Sequence, residues 1–504
     1  MFGAKGDGVT DDTNALISMF NTKLPCYITK TYLCTRILTV ESDIFGCGTF
    51  KYGANDVSIN IEEDNITING INFNVNNYIT SAIKVTDVEN IHIENCNILN
   101  TGNDNVTRQV GAISVTNVKN LWIKNCIIKY VHAGAGYSSY GIAINTSTNI
   151  FIENNNIEDI FPLSDGDGIR LNGEKLYAYI KNNIFKNCRK RCIKMKGEEI
   201  HSISNTFIYE NLDSLGLAVI DFQRSNNESI NDKLIFIITD SSLTTQLGNV
   251  FIVCGNNIKI DNFTNENIIP ENYTLNVING SCFVRLDKNI DVGSSNSADN
   301  LIISNCKINN ICSYLIDTTA NTALTSANNI QLINIEYAKN TSLSAYYVIP
   351  MNNSKMQIVD RLIIDGFTNR RNGSDSYSLL QRDTYTNTKI IIKNINDIAP
   401  FLWYSSGNII VENTTKPFNN SVYEGYKQYK NKLELIYTGN TVNPSGNTSS
   451  AHQYARNTPV GTQLLFDAPI YDSTNNKMQI GFVCTVAGTA TAVGTFVPLY
   501  NQLS

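Results

Sequence analysis

The chain has 504 residues and a formal net charge of −6 at pH 7, which argues against a nucleic-acid binder, since such proteins are usually basic on at least one face. Charged residues make up 17%, below the roughly 25% usual in globular proteins. Uncharged Asn, Ser and Thr fill the polar share, and such a surface suits sugar hydroxyls.

No apolar run reaches the ~18 residues that cross a bilayer, so no membrane association is expected. The start, MFGAKGDG, lacks the basic and apolar regions of a signal peptide. The twelve cysteines show no CxxC or Cys/His spacing, so no metal or other cofactor is expected. They read as buried free thiols of a protein assembled inside a cell.

The first segment, GAKGDGVTDDTNAL, places Gly3, Gly6 and Gly8 ahead of a helix start. A phosphate-cradling loop would need a lysine after its last glycine and a hydrophobic strand before its first. Neither is present. With Thr10 or Asp11 as N-cap, the apolar residues Ala15, Leu16, Ile17, Met19 and Phe20 give an amphipathic helix. Such a helix can plug the open end of a β-solenoid, which otherwise exposes unpaired backbone and apolar interior.

A repeat follows. IHIENCNI (91–98), LWIKNCII (121–128), IFIENNNI (150–157), AYIKNNIF (178–185) and HSISNTFI (201–208) align on Asn95, Asn125, Asn154, Asn182 and Asn205. The pattern returns in LIISNCKI (301–308) and IIIKNINDI (390–398). A period of roughly 20–30 residues signals a solenoid, and alternation of apolar residues makes each rung a strand. Asn at a fixed turn position can bond the Asn of the next coil. This alignment makes His201 an interior residue in register with Ile91, Leu121 and Ile150, and leaves Trp122 as a single exposed aromatic. A second column, GAISV, YGIAIN, DGIRLN, RCIKMK and VIDFQ, precedes the first by about ten residues. Two or three strands per coil describe a parallel β-helix.

FGAKGDGVTDDTNAL resembles the opening motif of the pectate-lyase-like superfamily, above all in bacteriophage tailspike depolymerases. That resemblance implies an all-β protein: a right-handed parallel β-helix with an N-terminal capping helix and a small β-rich C-terminal domain. The stretch from PVGTQLLFDAP to VGTFVPL is similar to the β-rich tail of many tailspikes. The family's members are typically homotrimers on the virion that bind and cut bacterial capsule or O-antigen. Met1 directly precedes a motif normally found inside longer chains, so attachment to the phage tail or baseplate would lie in a missing N-terminal region. The cap is placed at 1–50, the β-helix at 51–415 and a linker with the β-rich trimerisation or carbohydrate-binding region at 416–504.

Strand register then locates a site. With Ile169/Leu171, Ile193/Met195 and Ile220/Phe222 inward, one outer row runs Ala143, Arg170, Lys194, Asp221 and a second runs Asn145, Asn172, Lys196, Gln223. Asp165, Asp167, Glu198, Glu199, Arg224 and Tyr140 lie around it. Glycoside hydrolysis needs two carboxyl groups, and Asp167 and Asp221 are two coils apart, about 9.6 Å by rung spacing. Asp165 and Glu198 are competing partners, and Arg170 and Lys194 would hold an acidic sugar. DGDG equally serves as a turn, the basic run RKRCIKMK as a solvated face, and Asp221 as a salt bridge to Lys194. DGDG and IKMK are similar to parts of the polygalacturonase set without matching it, so no catalytic residue is carried over. Three functions are open: an endoglycosidic hydrolase, a lyase acting on a uronate polymer, and a non-catalytic polysaccharide receptor binder.

Overall fold

The computed structural model describes residues 2–103, 105, 108–162, 165–211, 217–239, 248–270, 281–287, 296–318, 325–338, 347–351, 356–369, 378–382, 389–395, 409–412, 423–429, 432–437, 463–472, 477–486 and 495–501. The chain divides into two compact units, Met1–Ile278 and Asn279–Ser504.

In the first unit each coil contributes three parallel strands. One coil consists of Val110–Thr116, Lys119–Lys124 and Ile127–Ala133. The next, Ser139–Asn145, Thr148–Glu153 and Asn156–Pro162, pairs with it strand on strand. Ile142, Ile169, Ile193, Ile220 and Phe251 are consecutive partners and fully buried, each worth about 1.5–3 kcal/mol of burial. The sharp turn between the second and third strands needs one left-handed residue. Asn95, Asn125, Asn154 and Asn182 supply it with φ of 54°, 55°, 59° and 56°, a conformation Asn tolerates better than most residues. Asn125 donates to Asn95 at 3.3 Å, and Asn95 to Asn69 at 3.1 Å.

The alignment of the fifth repeat is corrected by one residue. Ser204 (φ 56°) takes the left-handed turn position, and Ile200 pairs with Ala178. Asn205 is instead fully buried, joining an inner ladder in which Asn155 donates to Asn183, Asn183 to Asn205, and Asn205 to Asp232. Burial raises the Asp232 carboxyl to about 6, against the bonds it accepts from Ser202, Ser229 and Asn205. His201 moves outward with the same correction.

At the N-terminus a helix spans Thr13–Phe20 and buries Leu16 and Phe20. Phe20 packs 6.4 Å from Phe50, which packs 5.8 Å from Phe73 inside the first coils. The N-cap position is Asp12 rather than Thr10 or Asp11, while Asp11 accepts the Thr13 amide at 3.0 Å. Asp12 turns back to the glycine loop and accepts the amides of Lys5 and Gly6 at 2.7 and 3.0 Å. Two of the loop's donors are thus filled by the helix N-cap carboxylate, in keeping with an architectural role. Deleting residues 3–20 is expected to give aggregation through the uncovered coil. Soluble deletion protein by size-exclusion chromatography would remove the cap's role.

The cysteines whose side chains are described form no disulfide, and Cys47 departs from the expected burial by being exposed.

The second unit continues parallel pairing within itself. Thr325–Ala338 pairs with Met356–Asn369, which pairs with Lys389–Lys393, which pairs with Ile409–Glu412. From Tyr423 the pattern changes to a five-stranded, mostly antiparallel sheet ending in Thr495–Asn501. The expected boundary at 415/416 and most of the linker after it lie outside the described residues.

Candidate active site

The outer rows form as register requires. Ala143, Arg170, Lys194 and Asp221 are successive partners, as are Asn145, Asn172 and Lys196. Asp221 also forms a salt bridge with Arg191.

Arg191 organises the site. Its Nε donates to Asp167 at 2.5 Å, its Nη1 to Asp221 at 3.3 Å and its Nη2 to Asp165 at 2.6 Å. Gln223 donates to the Asp221 oxygen that Arg191 holds, at 3.0 Å. Arg191 is 4% exposed, and Asp167 and Asp221 are each 1% exposed, so this part of the basic run is no solvated face. The Asp165 side chain keeps 52% of its exposure.

Strict alternation from Ile193 would put Arg191 inside. The strands break that alternation. A Cβ built at Gly168 would meet Phe185 and Cys188 of the interior at 3.0 and 3.1 Å, and one at Gly141 would meet Ile157 at 3.0 Å. Cys192 is buried against Tyr209. Two consecutive inward positions turn Asp167 and Arg191 to the side of Asp221, as at a β-bulge. The sequence signal was the column of small residues Ala112, Gly141, Gly168 and Cys192.

The carboxyls differ in protonation. Burial lifts Asp167 to about 6 despite Arg191, and its Oδ2 is buried with no hydrogen-bond partner among the described residues. Asp165 ends below the ordinary range: burial opposes its charge, but Arg191 and then Lys194 outweigh it. The three carboxylates in turn hold Arg191 above its ordinary value against its own burial.

Other expected residues fall around this centre. Arg170 lies over the Tyr140 ring, 5.1 Å from its centroid, and donates to its hydroxyl at 2.8 Å. Tyr140 is 4% exposed, so its ring supports Arg170 and offers no face to a sugar. Glu198 is exposed on a turn beside Tyr177, whose hydroxyl it raises by hydrogen bonding, and is not brought to Arg191. Arg224 reaches Glu174 at 3.7 Å.

Trp122 is not alone. His92, Trp122, Phe151, Tyr179 and His201 are register partners whose rings stack at 4.3, 5.6, 5.8 and 4.6 Å, tilted by at most 14°. Because each ring covers its neighbour's face, the ladder turns edges outward and gives no platform for a sugar. His201 ends it between Glu228 and Glu199, at 2.6 and 3.0 Å.

Residues 57–241 match the family described as right handed beta helix region. The fold is a right-handed parallel β-helix. The match contains every strand of the candidate site. Solved structures similar to this β-helix include the tailspike of E. coli bacteriophage HK620 in complex with a hexasaccharide, at 9% identity and TM-score 0.49 over 82% of this chain and 75% of that one. The Streptococcus pneumoniae surface adhesin PfbA is 12% identical with TM-score 0.40, over 99% of this chain and 98% of that one. Bacteriophage CBA120 tailspike protein 3 is 10% identical with TM-score 0.37, over 98% and 68%. No curated protein matches the chain in sequence.

Proposed function

We propose that this protein is a phage tailspike that binds a bacterial capsule or O-antigen polysaccharide and cuts it by endoglycosidic hydrolysis. The observation that carries this reading is a set of three aspartates on one arginine, two of which, Asp165 and Asp167, are driven apart in protonation by their environments. Asp167 keeps a proton up to about pH 6, while Asp165 is ionised. Environments that push paired carboxyls apart assign acid and base. Asp167 is the proton donor to the glycosidic oxygen, and Asp165 or Asp221 activates the attacking water. The contacts on one guanidinium hold the Asp167 and Asp221 oxygens at most about 8 Å apart, a bound that admits the inverting separation. The test is product chemistry on purified capsules. New reducing ends without ultraviolet absorbance support hydrolysis, whereas an absorbing unsaturated product assigns a lyase. A homotrimer on the virion goes with this reading, and light scattering at monomer mass would remove it.

The burial of Asp167 and Asp221 favours a second reading, in which the cluster braces the coil of a polysaccharide-binding protein that leaves polymer length unchanged. Size-exclusion profiles of treated capsule separate the two.

A further inference from the structure

We propose that a pocket at the far end of the site strands holds the anionic group of an acidic sugar, a carboxylate or a phosphate ester. This rests on the polysaccharide reading and narrows the substrate class. The pocket encloses about 600 Å³ and is lined by Thr148, Asn172, Glu174, Lys175, Lys196 and Arg224, among others. That volume suits a small ligand.

Three lining side chains are cationic and one is anionic, on a chain whose net charge is −6. A locally positive cavity on a negative protein concentrates anions. Its one carboxylate is loosely placed: Glu174 is 87% exposed and 3.7 Å from Arg224. A bound anion displaces it without uncovering a buried charge. Asn172, held by Asn145 at 3.3 Å, and Thr148 supply neutral partners for hydroxyls.

Position links the pocket to the carboxylate cluster. Asp167 and Asn172 stand near opposite ends of one strand, and Arg191 and Lys196 at opposite ends of its partner. Five residues of strand span about 16 Å, room for a short run of sugars. Arg170 and Lys194, half-buried on the outer row, lie between. The track from the carboxylates to the pocket is therefore cationic, and a polymer with acidic groups can lie along it.

The experiment titrates the intact protein with D-glucuronate, glucose 6-phosphate and glucose at low ionic strength, followed by ligand-observed NMR. At least one acidic sugar is expected to bind roughly tenfold or more tightly than glucose, as charge-assisted hydrogen bonds allow. The comparison of glucuronate with glucose 6-phosphate separates carboxylate from phosphate. The double substitution Lys196→Gln and Arg224→Gln should abolish that preference, and Glu174→Gln should tighten the acidic sugar by about two- to threefold, as loss of an exposed competing charge permits. Glucose binding as tightly as both acidic sugars, or no sugar binding at all, overturns the pocket. So does a preference that survives the double substitution. The polymer is scored separately: cleavage without acidic preference removes only the pocket, and acidic preference without polymer binding removes the polysaccharide reading.

Discussion

Replacing Arg191 with methionine should destabilise the protein by about 3–5 kcal/mol at pH 8, the usual cost of stripping one partner from a buried ion pair. Asp167 and Asp221 are each 1% exposed and both lean on this guanidinium. Without it they and Asp165 lose the cation that all three contact. The effect has a pH signature. The Asp167 carboxyl is raised to about 6 when folded, so the stability it contributes is present at low pH and lost as pH rises from its unfolded value to about 6. Removing Arg191, which lowers that carboxyl, carries the loss to higher pH. The gap between wild type and variant should therefore be small at pH 5 and wide at pH 8 in urea unfolding. An equal gap at both values would mean that Arg191 acts through packing alone.

The fold was legible because its signal is repeated. Inward Ile at Ile142, Ile169, Ile193 and Ile220 recurs in register, and the turns at Asn95, Asn125, Asn154 and Asn182 carry Asn where a left-handed residue is needed. A single irregular coil was enough to mislead. In HSISNTFI the turn residue is Ser204, not Asn205, and a one-residue shift turns every side chain to the other face. That shift hid His201 in the interior, whereas His92, Phe151 and Tyr179 share the Trp122 position in the alignment itself. The site was half legible. The rows carrying Arg170, Lys194 and Asp221 follow from alternation, but Arg191 does not, because the strands carry two inward residues in succession at Gly168–Ile169 and Cys192–Ile193. Glycine and cysteine are small enough to tuck beside the isoleucine column. Without coordinates, nothing tells that they do so instead of facing out.

If the cluster is catalytic, Asp167→Asn and Asp221→Asn should each lower polymer cleavage by about 10²–10⁴-fold, the usual weight of a positioned acid or base. Stability should change by about 1 kcal/mol or less, a surface-like cost at a buried site, for a specific reason. Three carboxylates serve one cation, so removing one negative charge leaves Arg191 paired, and an asparagine carbonyl still accepts its N–H. Wild-type cleavage should fall as pH rises through about 6, where Asp167 gives up its proton, and the fall should vanish from the residual activity of Asp167→Asn. Asp165→Asn should also lose activity, since its carboxylate is the one open to solvent. NMR of the first-formed product should show the inverted anomer if the two carboxyls stand near the upper bound of about 8 Å that Arg191 sets, where a water fits between base and sugar. Full cleavage by both buried variants would move the chemistry away from Arg191. A large drop in melting temperature with cleavage intact would leave the three aspartates as a brace, holding Arg191 beneath the outer row of Arg170 and Lys194.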